Sequence, residues 1–92
     1  IMQVKKFYVI AFDSTHYAIS TEKKLTASGA PITMVPTPRE ISTSCGLSIR
    51  ILDENLERVI NALQGVSKEG MKLFRIDRSS KENPPEVIEW RD

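Results

Sequence analysis

The sequence predicts an α+β sandwich in which two helices cover one face of an antiparallel sheet. Three observations predict it. Apolar or alternating segments at residues 7–12, 32–35, 47–51 and 71–77 read as strands. Two stretches with helical spacing follow the first and third of them. Prolines and glycines separate the six segments, which gives the order βαββαβ, the split unit of ferredoxin-like sandwiches.

Each element has its own justification. The run from Phe7 to Phe12 is aromatic and β-branched without polar alternation, as in a strand buried on both faces. Asp13, Ser14 and Thr15 then offer a choice of helix N-caps. Tyr17, Ala18, Thr21 and Leu25 recur at roughly helical spacing, and Gly29 ends the helix. In the second strand Ile32 and Met34 share a face, and Pro36 and Pro38, lacking a backbone donor, stop it. In the third, Leu47, Ile49 and Ile51 alternate with Ser48 and Arg50. Asp53 is placed to cap a second helix whose apolar stripe is Leu56, Val59, Ile60 and Leu63. Gly65 and Gly70 bracket its end, and residues 71–77 supply the fourth strand. The face opposite the helices is expected to be solvated or to pair with a second copy.

Residues 1–78 are thus expected to form one domain and residues 79–92 a polar linker and tail. The tail reads either as a short closing strand or as a loose end, with Trp90 favouring docking. Thirteen basic residues stand against twelve acidic ones, which argues against duplex nucleic acid or an anionic membrane as partner. No apolar stretch approaches the ~20 residues needed to span a bilayer. The single cysteine cannot form an internal disulfide, so no oxidising compartment is implied and the cytoplasm is the expected location. No cofactor is expected.

That cysteine sets the functional question. PTPREISTSCGLSIR places Cys45 in a polar loop after Ser42, Thr43 and Ser44 and before Gly46. A thiol reacts as the thiolate, so a reactive one needs exposure and nearby donors or positive charge. Gly46 is able to take a positive φ, which would aim successive amides at one sulfur. The three hydroxyls are potential donors, and Arg39 is a candidate charge folding back from six residues upstream. The competing reading is structural: alternation through Leu47, Ile49 and Ile51 puts Cys45 on their core-facing side.

His16, in the first turn of the first helix, reads as a surface residue near a cap, with a Cys–His nucleophile pair as the minor alternative. One His and one Cys make a poor metal set. Tyr8 and Phe12 resemble a base-stacking platform, but the third strand has no aromatic to complete it. Arg39 and Glu40 read equally as a solvated charge pair.

The stretches DSTHYA and PTPREISTSCGLSIR together resemble a small bacterial family of selenium/sulfur carrier-like proteins. The resemblance covers roughly residues 6–77. Arg39, Glu40, Ser44, Cys45 and Gly46 match the family's Arg-Glu…Ser-Cys-Gly core, and Ser14, Thr15 and His16 match its helix-start motif. What this implies is a carrier without turnover of its own, holding sulfur or selenium as a persulfide on Cys45. Arg39 and the loop around Ser44 and Gly46 would stabilise the anionic adduct, and donor and acceptor proteins would be the partners. One departure stands out: established sulfur carriers of the relay type set their cysteine in Cys-Pro-x-Pro at a helix start, whereas Cys45 precedes glycine and opens a strand. Two rivals are kept. One is a regulatory module, binding a small ligand or a protein and open to homodimerisation, in which Cys45 is structural. The other is a thiol enzyme using Cys45 with His16.

Overall fold

The central strand explains its own composition. In the computed structural model, which describes residues 5–80 and 82–90, β1 (Lys6–Phe12) lies in the middle of a five-stranded sheet. It pairs antiparallel with β3 (Leu47–Leu52) on one side and β4 (Met71–Asp77) on the other. β2 (Thr33–Pro36) lies outside β3, and β5 (Glu86–Ile88) lies outside β4, both antiparallel. The order is β2-β3-β1-β4-β5. This sheet adds one edge to the four strands expected, and that edge comes from the tail, read as either a short closing strand or a loose end.

Side chains alternate across β1. Ile10 and Phe12 join Ile49, Ile51, Met71 and Leu73 on the helical side. There α1 (Thr15–Ala27) contributes Ala18 and Leu25, and α2 (Leu56–Ala62) contributes Val59, followed by Leu63. Burying a side chain of this size stabilises by about 1.5–3 kcal/mol relative to leaving it in water, so this layer is the main store of stability. Phe7, Val9 and Ala11 face the other way and are buried with Ile76. Among the described residues no helix lies over them. Their cover is Ile41, from the loop between β2 and β3. Where the opposite face crosses β1, it is therefore covered by the chain's own loop.

Local signals act largely as expected. Ser14 is the N-cap of α1, accepting from the Tyr17 amide at 3.4 Å. Gly29 follows the helix with φ +81°, a conformation that disfavours any other residue. Gly70 has φ +73°, and a Cβ there would meet the Tyr17 ring at 3.1 Å. α2 departs from expectation. Asp53 opens a 3-10 turn, Asp53–Asn55, rather than capping the α-helix, and no side chain caps α2. Leu56 accordingly lies at the helix start and is only half-buried.

Trp90 docks against the helix-side core, its indole N–H donating to the Met71 carbonyl at 3.2 Å. Lys68 Nζ stands 5.6 Å from its ring centroid. Two changes test whether this end belongs to the cooperative unit. Trp90→Phe should lower unfolding free energy by about 1 kcal/mol through the lost hydrogen bond. Ending the chain at Ser80, which keeps Arg78, should cost more, because the strand goes too. Urea melts that leave both values unchanged would make β5 a passive appendage.

Candidate functional site

The two stretches singled out in the sequence meet at one end of β1. The first is the turn from β1 into α1, Phe12 to Thr15. The second is residues 37–46, which leave β2, cross the back face and enter β3. Two elements far apart in sequence are joined here because β3 pairs directly with β1.

The crossing loop is fixed at four places. Its base is closed where the Thr37 amide donates to the Gly46 carbonyl at 3.0 Å. Thr37 Oγ1 also donates to the Cys45 carbonyl at 3.0 Å, so its single proton is committed. Ser48 Oγ, 2.7 Å away, must then be the donor to Thr37. This explains how Ser48 is wholly buried on a face that alternation marked as polar. Next, Ile41 seats on Phe7, Val9, Ala11 and Ile76. Glu40 forms a two-pronged pair with Arg78, with Nε to Oε2 at 2.9 Å and Nη2 to Oε1 at 3.2 Å. Arg78 itself lies over the Phe7 ring and donates its amide to the Lys5 carbonyl. Finally, Thr43 Oγ1 donates to the Phe12 carbonyl and Ser44 Oγ to the Asp13 carbonyl, tying the loop to the β1–α1 turn.

Cys45 follows directly and points inward. It is 3% exposed and belongs to the helix-side core. Its S–H donates to the Leu47 carbonyl at 3.3 Å, and the Leu47 amide donates back to Sγ at 3.4 Å. Thr15 Oγ1 lies 3.5 Å from Sγ. With the thiol proton on Leu47, the Thr15 hydroxyl is the donor to sulfur.

The remaining expected site residues fall as follows. Ser44 is adjacent to the thiol but spends its proton on Asp13. Gly46 does not take a positive φ and has open space where a Cβ would be, so one amide, Leu47's, reaches the sulfur instead of a convergent set. His16 is exposed and its ring meets Tyr17, 5.9 Å between centroids; its neighbour Thr15 makes the contact with Cys45. Arg39 is exposed beside Glu40, whose carboxylate is drawn to Arg78 at the Lys5 end of β1, while Cys45 lies at the Phe12 end. Among the described residues no group of three His, Cys, Asp or Glu is placed to hold a metal ion, and no helix is long and apolar enough to cross a membrane.

Sequence reasoning missed Ile41, Thr37, Ser48 and Arg78. Ile41 had a signal, as the one apolar residue between Arg39 and Ser44. The others depend on contacts across the fold. Beside the loop lies a cavity of about 130 Å³, lined by Ala11, Asp13, residues 42–44, Lys72 and Phe74. Cys45 does not line it.

Residues 7–74 match the model of the family described as "Putative Se/S carrier protein-like". The match runs from β1 into β4 and takes in both stretches that meet at the thiol. The chain belongs to this family. No curated protein and no solved structure matches it. Within this Se/S carrier-like chain the cysteine is the one thiol, and it is buried.

The Glu40–Arg78 pair sets a pH dependence. The hydrogen bonds from Arg78, above all, hold the Glu40 carboxyl below its ordinary value of 4.5. A lowered folded value means the pair's stabilisation is complete above that ordinary value and is lost as pH falls through the lower one. Both side chains are partly in water, 28% and 50% exposed for Glu40 and Arg78, so the effect is about 0.5–1 kcal/mol. The stability difference between the native chain and Glu40→Gln should be flat near neutrality and shrink in acid. A difference independent of pH from neutral to strongly acid solution would assign the pair no role in stability.

Proposed function

We propose that this Se/S carrier-like chain holds sulfur or selenium on Cys45, taking it from a donor protein and surrendering it to an acceptor. What supports the reading, beyond family membership, is one contact: Thr15 of the first helix start and Cys45 of the loop meet, with Oγ1 3.5 Å from Sγ. The exchange balances without an added oxidant. The Cys45 thiolate attacks the terminal sulfur of a donor persulfide, R–S–SH; a Cys45–sulfur bond forms, the donor sulfur–sulfur bond breaks, and R–S⁻ leaves with the electron pair. Delivery is the same step with the acceptor thiolate attacking. Thr15 Oγ1 and the Leu47 amide already donate to the sulfur that takes part.

The burial of Cys45 favours a second reading, in which the cysteine packs the core and the chain is a regulatory module binding a protein or small ligand through its surface. Incubating the folded chain with a small-molecule persulfide donor and reading intact mass separates the two. The carrier gains one sulfur atom, loses it to a reductant, and gains nothing as Cys45→Ser. If the native chain stays unmodified while the urea-unfolded chain is loaded, the regulatory module is the better account.

A further inference from the structure

The back face of the sheet holds a feature that the thiol does not touch. Strand register puts Arg50 of β3 directly opposite Val9, so its side chain leaves the sheet on the same side as Val9 and Phe7. Beside it lie the end of β2 and the first turn of the crossing loop, and Arg78 arrives from just beyond β4. Phe7, Val35, Pro36, Pro38, Arg50 and Arg78 together line a cavity of about 130 Å³. Two guanidinium groups thus share a small hollow whose other walls are aromatic and aliphatic.

Charge in this hollow is unbalanced. Arg78 stands over the Phe7 ring, 5.2 Å from its centroid, and gives Nε and Nη2 to the Glu40 carboxylate. Its Nη1 group has no partner among the described residues. Arg50 is half-buried and has neither an ion pair nor a side-chain hydrogen bond among them. A guanidinium stays charged throughout the range in which proteins fold, and its donors form a rigid planar fork. Taking one part-way out of water with no acid beside it costs stability, and an anion brought from outside recovers that cost.

The lining also selects the anion. Pro36 and Pro38 have no N–H, and the Thr37 amide between them is committed to the Gly46 carbonyl, so this edge lacks the successive amides that cradle a phosphate. A carboxylate, with two oxygens in one plane, matches planar forks, and Glu40 already takes one edge of Arg78 in that way. Phe7, Val35 and the two proline rings suit a hydrocarbon body. A cavity of about 150 Å³ accepts benzene, so the body here is of about that size or smaller.

We propose that this hollow binds a small organic monocarboxylate, the carboxylate between Arg50 and the free edge of Arg78 and the apolar body against Phe7, Val35, Pro36 and Pro38. The site is on the face away from Cys45, which belongs to the helix-side core, so it stands whether or not the thiol carries sulfur.

Benzoate is the probe, titrated into the isotopically labelled native chain at neutral pH and constant ionic strength and followed by amide NMR. The expected result is a saturable shift at the amides of Phe7, Val35 and Arg50. Benzamide, which keeps the shape and lacks the charge, should produce none. Arg50→Gln should weaken benzoate binding about tenfold or more, the loss of a hydrogen-bonded charge. Lys72→Gln removes a positive charge from the same face outside the hollow and should leave the affinity as it is. Arg78 is kept intact, because replacing it would also release Glu40. Equal shifts with benzamide, equal losses in the two variants, or no saturable shift at these amides overturns the site. Inorganic phosphate binding there more tightly than benzoate overturns the carboxylate. The benzamide comparison needs no variant, so the decision survives a failure of Arg50→Gln to fold. Persulfide loading of Cys45 is a separate readout, and either proposal fails without the other.

Discussion

The structure turns on a strand that is apolar on both faces in a sheet with helices on only one. Phe7, Val9 and Ala11 cannot be left in water without forfeiting several kcal/mol of burial. Nothing regular in the fold is available to cover them, since both helices are spent on the other layer. The loop from β2 to β3 therefore does what a third helix does elsewhere, with a single isoleucine at the point of contact. Its route across the sheet follows from that need, and so does the position of everything attached to it.

Seen this way, the cysteine's surroundings are a by-product of a covering problem. A loop committed to the back face with Ile41 has to return to the helix face to enter β3, and it does so around the end of β1. Residues 42–45 make that passage. Hydroxyls suit it, because the carbonyls of Phe12 and Asp13 at the strand's end lack ladder partners in that direction and accept from Thr43 and Ser44. Cys45 is the first side chain to arrive on the far side, where a small, polarisable group fits between Thr15 and Leu47. The same four residues thus meet a backbone requirement and, in the carrier reading proposed above, a chemical one.

Much of this was legible in the chain, for reasons that differ by element. The apolar run at Phe7 read as a strand buried on both faces because it is rich in aromatic and β-branched residues and lacks polar alternation. The i, i+3, i+4, i+7 stripe at Leu56 announced α2, though a 3-10 turn displaced its start, since Asp53 is drawn into the tight turn leaving β3. Alternation through Ile49 and Ile51 placed Cys45 on the core side, and there it lies. The same alternation misjudged Ser48, because a side chain's polarity does not report whether a loop will be laid over it. Arg78 and Glu40 are separated by most of the sheet, and only the loop's crossing brings them together. The added strand at Glu86 is three residues long, below what periodicity is able to resolve.

The edges of the sheet carry a last consequence. One outer strand, β2, ends in Pro36, which has no amide to offer, and the other, β5, is preceded by Pro84 and Pro85, begins with Glu86 and is followed by Glu89. Strands this short, interrupted and charged are poor templates for main-chain pairing with a foreign strand. The sheet is thereby kept from recruiting whatever extended segment drifts alongside, and contact with other chains is left to side chains on its faces and loops.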